Sequence, residues 1–143
     1  MSVELIEEST PEVVEMMGNL IPQLSRSAAA LTAEQTADFV AQPNVYLFGY
    51  RDDKDGKLKG MLSLATFVIP TGVRAWIEDV VVDEATRSQG AGQKLVEAAV
   101  AQAAKLGART VDLTSRPSRE AANRLYRRCG FVQRETNVYR YKA

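Results

Sequence analysis

A short segment at residues 87–92 has the composition of an anion-binding turn. Its residues are Arg87, Ser88, Gln89, Gly90, Ala91 and Gly92. Glycines let the backbone approach a ligand without obstruction by a Cβ atom, and the first N–H groups of a helix carry a partial positive charge that suits a pyrophosphate. The segment therefore predicts either a site for a phosphorylated ligand or a tight connection that needs glycine geometry.

Two other phosphate-binding patterns fit less well. No Gly-Lys-Ser/Thr follows a glycine at the Walker spacing. The dinucleotide fingerprint fails at its third glycine, where Leu95 stands. Asp112 does lie about 20 residues downstream, at the distance of a ribose-binding acid, but it falls inside a predicted strand. A nicotinamide-binding reductase domain is the weaker alternative.

The side chains available for acid–base chemistry include no histidine and one cysteine, Cys129. These counts exclude an internal disulfide, Ser-His-Asp and Cys-His catalysis, and histidine-ligated metals. We expect no metal site. Any proton transfer must use Asp, Glu, Tyr, Lys, Cys or water.

The composition is that of an ordinary globular protein, with 143 residues, 45% hydrophobic and 25% charged. We expect a single domain over residues 1–143. Eighteen basic residues balance eighteen acidic ones, which disfavours nucleic acid and anionic membranes as partners. The longest apolar stretch, 61–69, is about half a membrane-spanning helix, and the acidic start lacks a signal peptide's basic region. We therefore expect a cytoplasmic protein.

The spacing of apolar residues predicts an α/β order of elements around one mixed sheet. The predicted strands are 3–6, 45–50, 58–69, 73–83, 110–114 and 138–141. The predicted helices are 11–24, 32–40, 91–106 and 118–128. Thr32 and Gln35 form a capping-box pattern at the start of the second helix.

Two motifs in this order carry a resemblance to a known family. The first is the apolar run 80–82 followed by Arg87-x-x-Gly90-x-Gly92, and the second is Asn123-x-x-Tyr126-x-x-x-Gly130-Phe131. Together they resemble the GNAT superfamily of acetyl-CoA-dependent N-acetyltransferases. The resemblance is strongest over residues 73–134, whereas residues 1–72 match in element order only.

The resemblance implies a GNAT-like α/β fold, called α+β in some schemes. It has a central mixed, mostly antiparallel sheet of about 6–7 strands and about four flanking helices. The fourth strand, here 75–82, and the fifth, here 110–114, would splay apart to admit acetyl-CoA as co-substrate.

The same resemblance implies contacts for each part of the co-substrate. Backbone groups of Val80, Val81 and Val82 would pair with the pantetheine arm, and an amide near Val81 would face the thioester oxygen. Amides of residues 89–92 would hold the pyrophosphate. Arg87 and Arg128 are candidates for the adenosine phosphates.

Acetyl transfer to an amine sets two proton-transfer requirements. An alkylammonium of pKa about 10.4 must lose a proton at pH 7, at a cost of about 4.6 kcal/mol. Glu78 is the preferred base, with Asp79 or water as alternatives, and a bulge in the strand would exchange the faces of these residues. The resemblance makes Tyr126 the general acid for the leaving thiolate and places Asn123 against the pantetheine.

Structural interpretations stand beside these functional ones. Glu78 and Asp79 could be edge acids paired with Arg74 or Arg109, and Tyr126 could belong to the apolar face of an amphipathic helix. The functional prediction is an N-acetyltransferase that acts on a primary amine of a small molecule or a peptide. The main alternative is a non-catalytic acyl-CoA-binding module. Relatives commonly dimerise, and the sequence leaves the oligomeric state open.

Overall fold

A five-stranded mixed sheet forms the centre of the computed structural model, which describes residues 3–86 and 89–143. The strands are β1 (Val3–Ile6), β2 (Val45–Arg51), β3 (Leu58–Ile69), β4 (Gly72–Val82) and β5 (Val111–Asp112). They lie in chain order across the sheet. The first four are antiparallel neighbours, and β5 is parallel to β4.

Four helices accompany the sheet: α1 (Pro11–Leu24), α2 (Ala33–Val40), α3 (Ala91–Lys105) and α4 (Glu120–Arg128). The first two begin where the sequence predicts. The Thr10 hydroxyl accepts from the N–H of Val13, and Thr32 and Gln35 complete the capping box at 3.1 and 2.9 Å. These caps satisfy amides that have no partner inside the helix, so each start is fixed locally.

Each face of the sheet has its own apolar core. On one face, α3 buries Leu95, Val96 and Ala99 against strand residues that include Leu62 and Leu64. On the other face, α1 packs with Met61 and Val81. The burial of both faces explains the nearly continuous apolar sequence of β3. The sheet is therefore held in place from both sides, which fixes the position of β4.

The prediction of six to seven strands is wrong for the described residues. The strand predicted at 110–114 shortens to the two residues of β5, and residues 131–132 and 138–141 form no strand. A strand needs a neighbour that accepts its backbone hydrogen bonds, and the C-terminal residues pair with no strand in the described part of the chain. Their β-forming side chains alone do not supply that neighbour.

The helices give no indication of a membrane span. None of those formed by residues 3–86 and 89–143 is both long enough and apolar enough to cross a bilayer.

Candidate active site

A β-bulge interrupts β4 next to the predicted base. Met61 of β3 pairs with Val81, yet Ser63 pairs with Glu78, so the two intervening residues of β4 lie opposite one residue of β3. Asp79 adopts a left-handed backbone conformation with φ of 52°. Aspartate tolerates this conformation better than most residues, which suits it to the bulge.

The bulge exchanges the faces of the strand, as anticipated. Met61 and Ser63 share one face of β3, so their partners Val81 and Glu78 share the corresponding face of β4. Val80 and Val82 instead pack against the α3 core together with Ile77. Without the bulge, Glu78 and Val80 would lie on the same face. The bulge therefore places Glu78 on the face of β4 opposite to Val80 and Val82.

A cleft opens where β4 and β5 stop pairing. The last paired residues are Trp76 and Asp112, and beyond them the strands are no longer hydrogen bonded. The cleft has a volume of about 140 Å³. It is lined by Leu24, Ile77, Glu78, Asp79, Val80, Leu113, Thr114, Ser115, Arg119 and Tyr126. The predicted base, the bulge and the predicted acid therefore line one cavity.

The cleft leaves one edge of β4 without a strand partner. From Ile77 onward, β3 pairs with one side of β4, and no described strand pairs with the other side. The backbone N–H and C=O groups on that side are available to an extended ligand. Val80, Val81 and Val82 belong to this part of β4.

Glu78 and Asp79 are both exposed, and neither forms the ion pair that a purely structural role predicts. Within residues 3–86 and 89–143, no salt bridge joins either carboxylate to Arg74 or Arg109. The ion pairs there involve Arg51 and Lys59 instead. The two carboxylates are therefore available to a ligand in the cleft.

Tyr126 reaches the cleft from α4 and is anchored by its ring. The ring is tilted against Phe131, with a centroid separation of 6.0 Å, and both residues pack at the border of the α3 core. Burial raises the pKa of Tyr126 above its usual value, and the neighbouring charge of Arg119 partly opposes this effect. The hydroxyl consequently stays protonated at neutral pH and can donate a hydrogen bond into the cleft.

The side chain of Asn123 stabilises the turn that precedes α4 through two hydrogen bonds. Its side-chain amide donates to the carbonyl oxygens of Arg116 at 3.0 Å and Arg119 at 2.9 Å. These bonds hold the start of α4 and the base of the Arg119 side chain beside the cleft. The side-chain oxygen of Asn123 takes no part in these two bonds and could accept a hydrogen bond from a ligand. The contact between Asn123 and the pantetheine stays a prediction.

The sequence predicts free backbone donors at the start of α3. Gly90 precedes the helix with φ of 75°, and no side chain caps it. The amides of Ala91, Gly92 and Gln93 have no acceptor among the described residues, as expected for a first helical turn. A Cβ on Gly92 would lie 2.9 Å from Leu125 Cδ2, so this glycine also permits close packing of α3 on α4.

Not every predicted binding residue can be placed. Arg87 and Ser88 lie outside the described residues, and Gln89 is half-buried just ahead of Gly90. Arg128 is exposed in the last turn of α4. Their contacts with the adenosine phosphates and the pyrophosphate stay predictions.

Sequence reasoning missed Arg119 and Ser115 as lining residues of the cleft. The sequence alone groups Arg119 with the neighbouring arginines as a basic helix face, for which solvation is the ordinary explanation. Its position just before Glu120, the first residue of α4, was the available signal, because residues at helix starts often border ligand sites.

In many α/β proteins, a phosphorylated ligand binds where parallel strands separate beside the start of a helix, which is the arrangement of β4, β5 and α3 here. The family model described as "Acetyltransferase (GNAT) family" matches residues 14–131. The chain belongs to this family, and it is an acyltransferase.

Solved structures with the same fold cover nearly the whole chain. A protein from Agrobacterium tumefaciens str. C58, named as a candidate acetyltransferase, has 26% identity and a TM-score of 0.85, covering 99% of this chain and 100% of its own. The aminoglycoside acetyltransferase meta-AAC0020 from an uncultured soil metagenomic sample has 21% identity and a TM-score of 0.84, with coverages of 99% and 94%.

A more distant neighbour is glucosamine-6-phosphate N-acetyltransferase from Arabidopsis thaliana. It has 19% identity and a TM-score of 0.77, and the match covers 99% of each chain. No curated protein matches the sequence.

Proposed function

We propose that this protein transfers the acetyl group of acetyl-CoA directly to a primary amine while both substrates are bound. The observation that carries the proposal is the cleft that opens between β4 and β5. This cleft brings Glu78 and Tyr126 into one cavity, beside an unpaired edge of β4. No metal takes part in the proposed reaction.

The residues present fit acetyl-CoA as co-substrate. The free edge of β4 at Val80, Val81 and Val82 offers backbone partners to an extended pantetheine arm, with an amide near Val81 for the thioester oxygen. The amides of Ala91 and Gly92, which have no acceptor among residues 3–86 and 89–143, suit the diphosphate. A structure among the neighbours, AAC(6')-Iy, holds a bisubstrate analogue that contains CoA.

Glu78 removes the proton that keeps the acceptor amine unreactive. At pH 7 an amine of pKa about 10.4 is almost entirely protonated, because the pH is about 3.4 units below its pKa. A carboxylate that receives this proton, directly or through water, makes the lone pair available for attack on the thioester carbon. Asp79, at the bulge, is the alternative base.

Tyr126 assists departure of the CoA sulfur by donating a hydrogen bond. The thiol has a pKa of about 8.5, below that of a buried tyrosine, so complete proton transfer from Tyr126 alone is uphill. Hydrogen bonding still stabilises the developing thiolate. Of the two protons that the ammonium group loses, one ends on the CoA sulfur and the other is released.

The acceptor we propose is a cationic amine on a small molecule or a peptide. Two exposed carboxylates in the cleft, Glu78 and Asp79, favour a positively charged substrate. Structural neighbours are named for aminoglycosides, glucosamine 6-phosphate and ribosomal-protein alanine, all of which contain amines. We also propose a cytoplasmic location, a single domain over 1–143, and no nucleic acid or membrane partner.

An amine-panel assay that follows CoA release tests this proposal. The panel contains polyamines, aminoglycosides, amino sugars and short peptides. We expect amine-dependent release that Glu78→Gln reduces and that Glu97→Gln, an exposed control on α3, leaves unchanged. Saturable CoA binding with background release for every amine would instead identify a non-catalytic acyl-CoA-binding module.

A further inference from the structure

The cleft between β4 and β5 contains a positive charge that the proposed reaction does not use. Arg119 lines this cleft together with the carboxylates of Glu78 and Asp79. All three residues are exposed, so a ligand can reach them. Among the described residues no ion pair includes Arg119, and its guanidinium therefore pairs with neither carboxylate. The cleft presents charges of both signs that do not neutralise each other by direct contact.

The two signs of charge come from different walls of the cleft. Glu78 and Asp79 belong to β4, whereas Arg119 directly precedes α4, at the end of the segment that leaves β5. Arg119, Asn123 and Tyr126 are separated by four and three residues, a spacing that places them on one face of a helix. The charge of Arg119 opposes the rise in the pKa of Tyr126, so the guanidinium lies within electrostatic reach of that hydroxyl. A ligand between the walls can contact both signs of charge.

The backbone that carries Arg119 is held in a closed turn. Its carbonyl oxygen accepts from the Asn123 side chain at 2.9 Å, and its N–H donates to the carbonyl oxygen of Arg116 at 3.0 Å. Asn123 also donates to that carbonyl oxygen of Arg116. A backbone that is already ordered lowers the entropy cost of placing a side chain on a ligand. The turn therefore fixes the point from which the guanidinium reaches the cleft.

Acetyl-CoA supplies no permanent anion to this part of the cleft. The thioester and the pantetheine arm carry no charge, and the diphosphate is proposed to lie at the start of α3. The leaving thiolate is a transient anion, and Tyr126 is the residue proposed to stabilise it. A guanidinium stays charged at every physiological pH and is best matched by a group that is also always charged. The acceptor is the remaining source of such a group.

We propose that the acceptor is a small amino acid whose amine lies against Glu78 and Asp79 and whose carboxylate binds Arg119. The inference rests on the proposed function and narrows its acceptor from any cationic amine to a molecule that carries both charges. A planar guanidinium donates two parallel hydrogen bonds to a carboxylate. The hydroxyl of Ser115, which also lines the cleft, is a further donor.

The carboxylate orients the acceptor and takes no part in the bond changes. The amine nitrogen bonds to the thioester carbon and the carbon–sulfur bond breaks. One of the two ammonium protons ends on the CoA sulfur and the other is released.

The size and the charge of the cleft both favour a small amino acid over a polycation. The volume of about 140 Å³ is below the range of about 300–1,000 Å³ that is usual for drug-sized ligands. A polyamine or an aminoglycoside would bring further positive charges towards Arg119, and like charges repel. Amines that carry positive charge alone should therefore be poor acceptors.

Acceptors that differ only in their carboxylate test the proposal. Glycine, β-alanine and 4-aminobutyrate, each beside its amide, are compared by kcat/KM for CoA release. We expect Arg119→Gln to lower kcat/KM about tenfold or more for the preferred acid and to change that of its amide less than about twofold. Each compound is compared with itself in the two proteins, so differences in amine basicity cancel. Arg116→Gln, an arginine outside the cleft, should leave both values unchanged.

Two kinetic results overturn the proposal. An equal fall in kcat/KM for the acid and its amide would assign Arg119 to the leaving thiolate. A raised KM for acetyl-CoA with unchanged acceptor preference would assign Arg119 to the co-substrate.

Calorimetry gives a test that does not depend on acetyl transfer. Background CoA release with every compound would contradict the proposed function, whereas the acid can still be titrated into the complex of the protein with CoA. We expect saturable binding of the acid that Arg119→Gln weakens about tenfold or more. Absent binding, or binding that the variant leaves unchanged, overturns the proposed carboxylate site.

Discussion

Replacing Tyr126 with phenylalanine isolates the hydroxyl from the ring that anchors it. The ring contact with Phe131, at 6.0 Å between centroids, does not involve the hydroxyl, and no hydrogen bond to the hydroxyl is formed within the described residues. We therefore expect the free energy of unfolding to change by less than about 0.5 kcal/mol. We expect kcat to fall, because the variant has no hydroxyl to donate a hydrogen bond to the leaving CoA sulfur.

The expected decrease in kcat follows from the direction in which the pKa of Tyr126 is shifted. Burial raises the pKa of Tyr126, so its proton is not transferred downhill to a thiolate whose conjugate acid has a pKa of about 8.5. The contribution is then a hydrogen bond to a charged group, about 1.5–3 kcal/mol. We expect kcat to fall about 10- to 150-fold at constant KM for acetyl-CoA.

Steady-state kinetics of CoA release, combined with thermal unfolding, measures both quantities. Tyr46→Phe on β2, which is outside the cleft, is the matched control and should retain wild-type kcat. An unchanged kcat for Tyr126→Phe would refute the assigned role. A fall in kcat accompanied by unfolding would assign the tyrosine to packing instead.

Three further predictions concern stability. Arg51 bonds two carboxylates and lowers the pKa of Glu12, so Arg51→Met should cost about 1 kcal/mol in denaturant titrations at pH 7. The pKa of Glu12 is lower in the folded state than in the unfolded state. The difference in free energy of unfolding between the wild type and Arg51→Met should therefore be lost as the pH falls below about 4. Leu95 is fully buried, and Leu95→Ala should cost about 2–5 kcal/mol, whereas Val100→Ala on the exposed side of α3 should cost less than about 1. Gly90 has a φ of 75°, a left-handed conformation that a residue with a Cβ atom adopts at a cost. Gly90→Ala should therefore lower the free energy of unfolding by about 1–2 kcal/mol in the same denaturant titration.

The sequence predicts best those features that are determined locally. The capping box at Thr32 depends on side chains three residues apart, and the burial of Leu95, Val96 and Ala99 follows helical periodicity. The same helical periodicity predicts that Val100 shares the buried face with these three residues, yet Val100 is 37% exposed. The buried face of α3 is narrower than the apolar sequence implies, because the sheet contacts only one side of the helix.

The less predictable features depend on neighbours distant in the sequence. The sequence analysis anticipates a bulge in β4 that would exchange the faces of Glu78 and Asp79. Its position at residues 79–80 depends on the register with β3, which strand alternation alone does not reveal. The predicted strand at 138–141 has suitable side chains but no partner among the described residues. Arg119 lines the cleft at the end of a turn held by the Asn123 side chain, and this bond between a side chain and backbone carbonyls four and seven residues away leaves no periodic pattern in the sequence.

Calorimetric titration with CoA and with pantetheine tests most directly whether the start of α3 binds the diphosphate. The amides of Ala91 and Gly92 have no acceptor in the described part of the chain, which predicts saturable binding of CoA. Pantetheine lacks the diphosphate and should bind at least about tenfold more weakly than CoA. Equal affinity for the two ligands, or no saturable binding of CoA at millimolar concentration, would contradict the account.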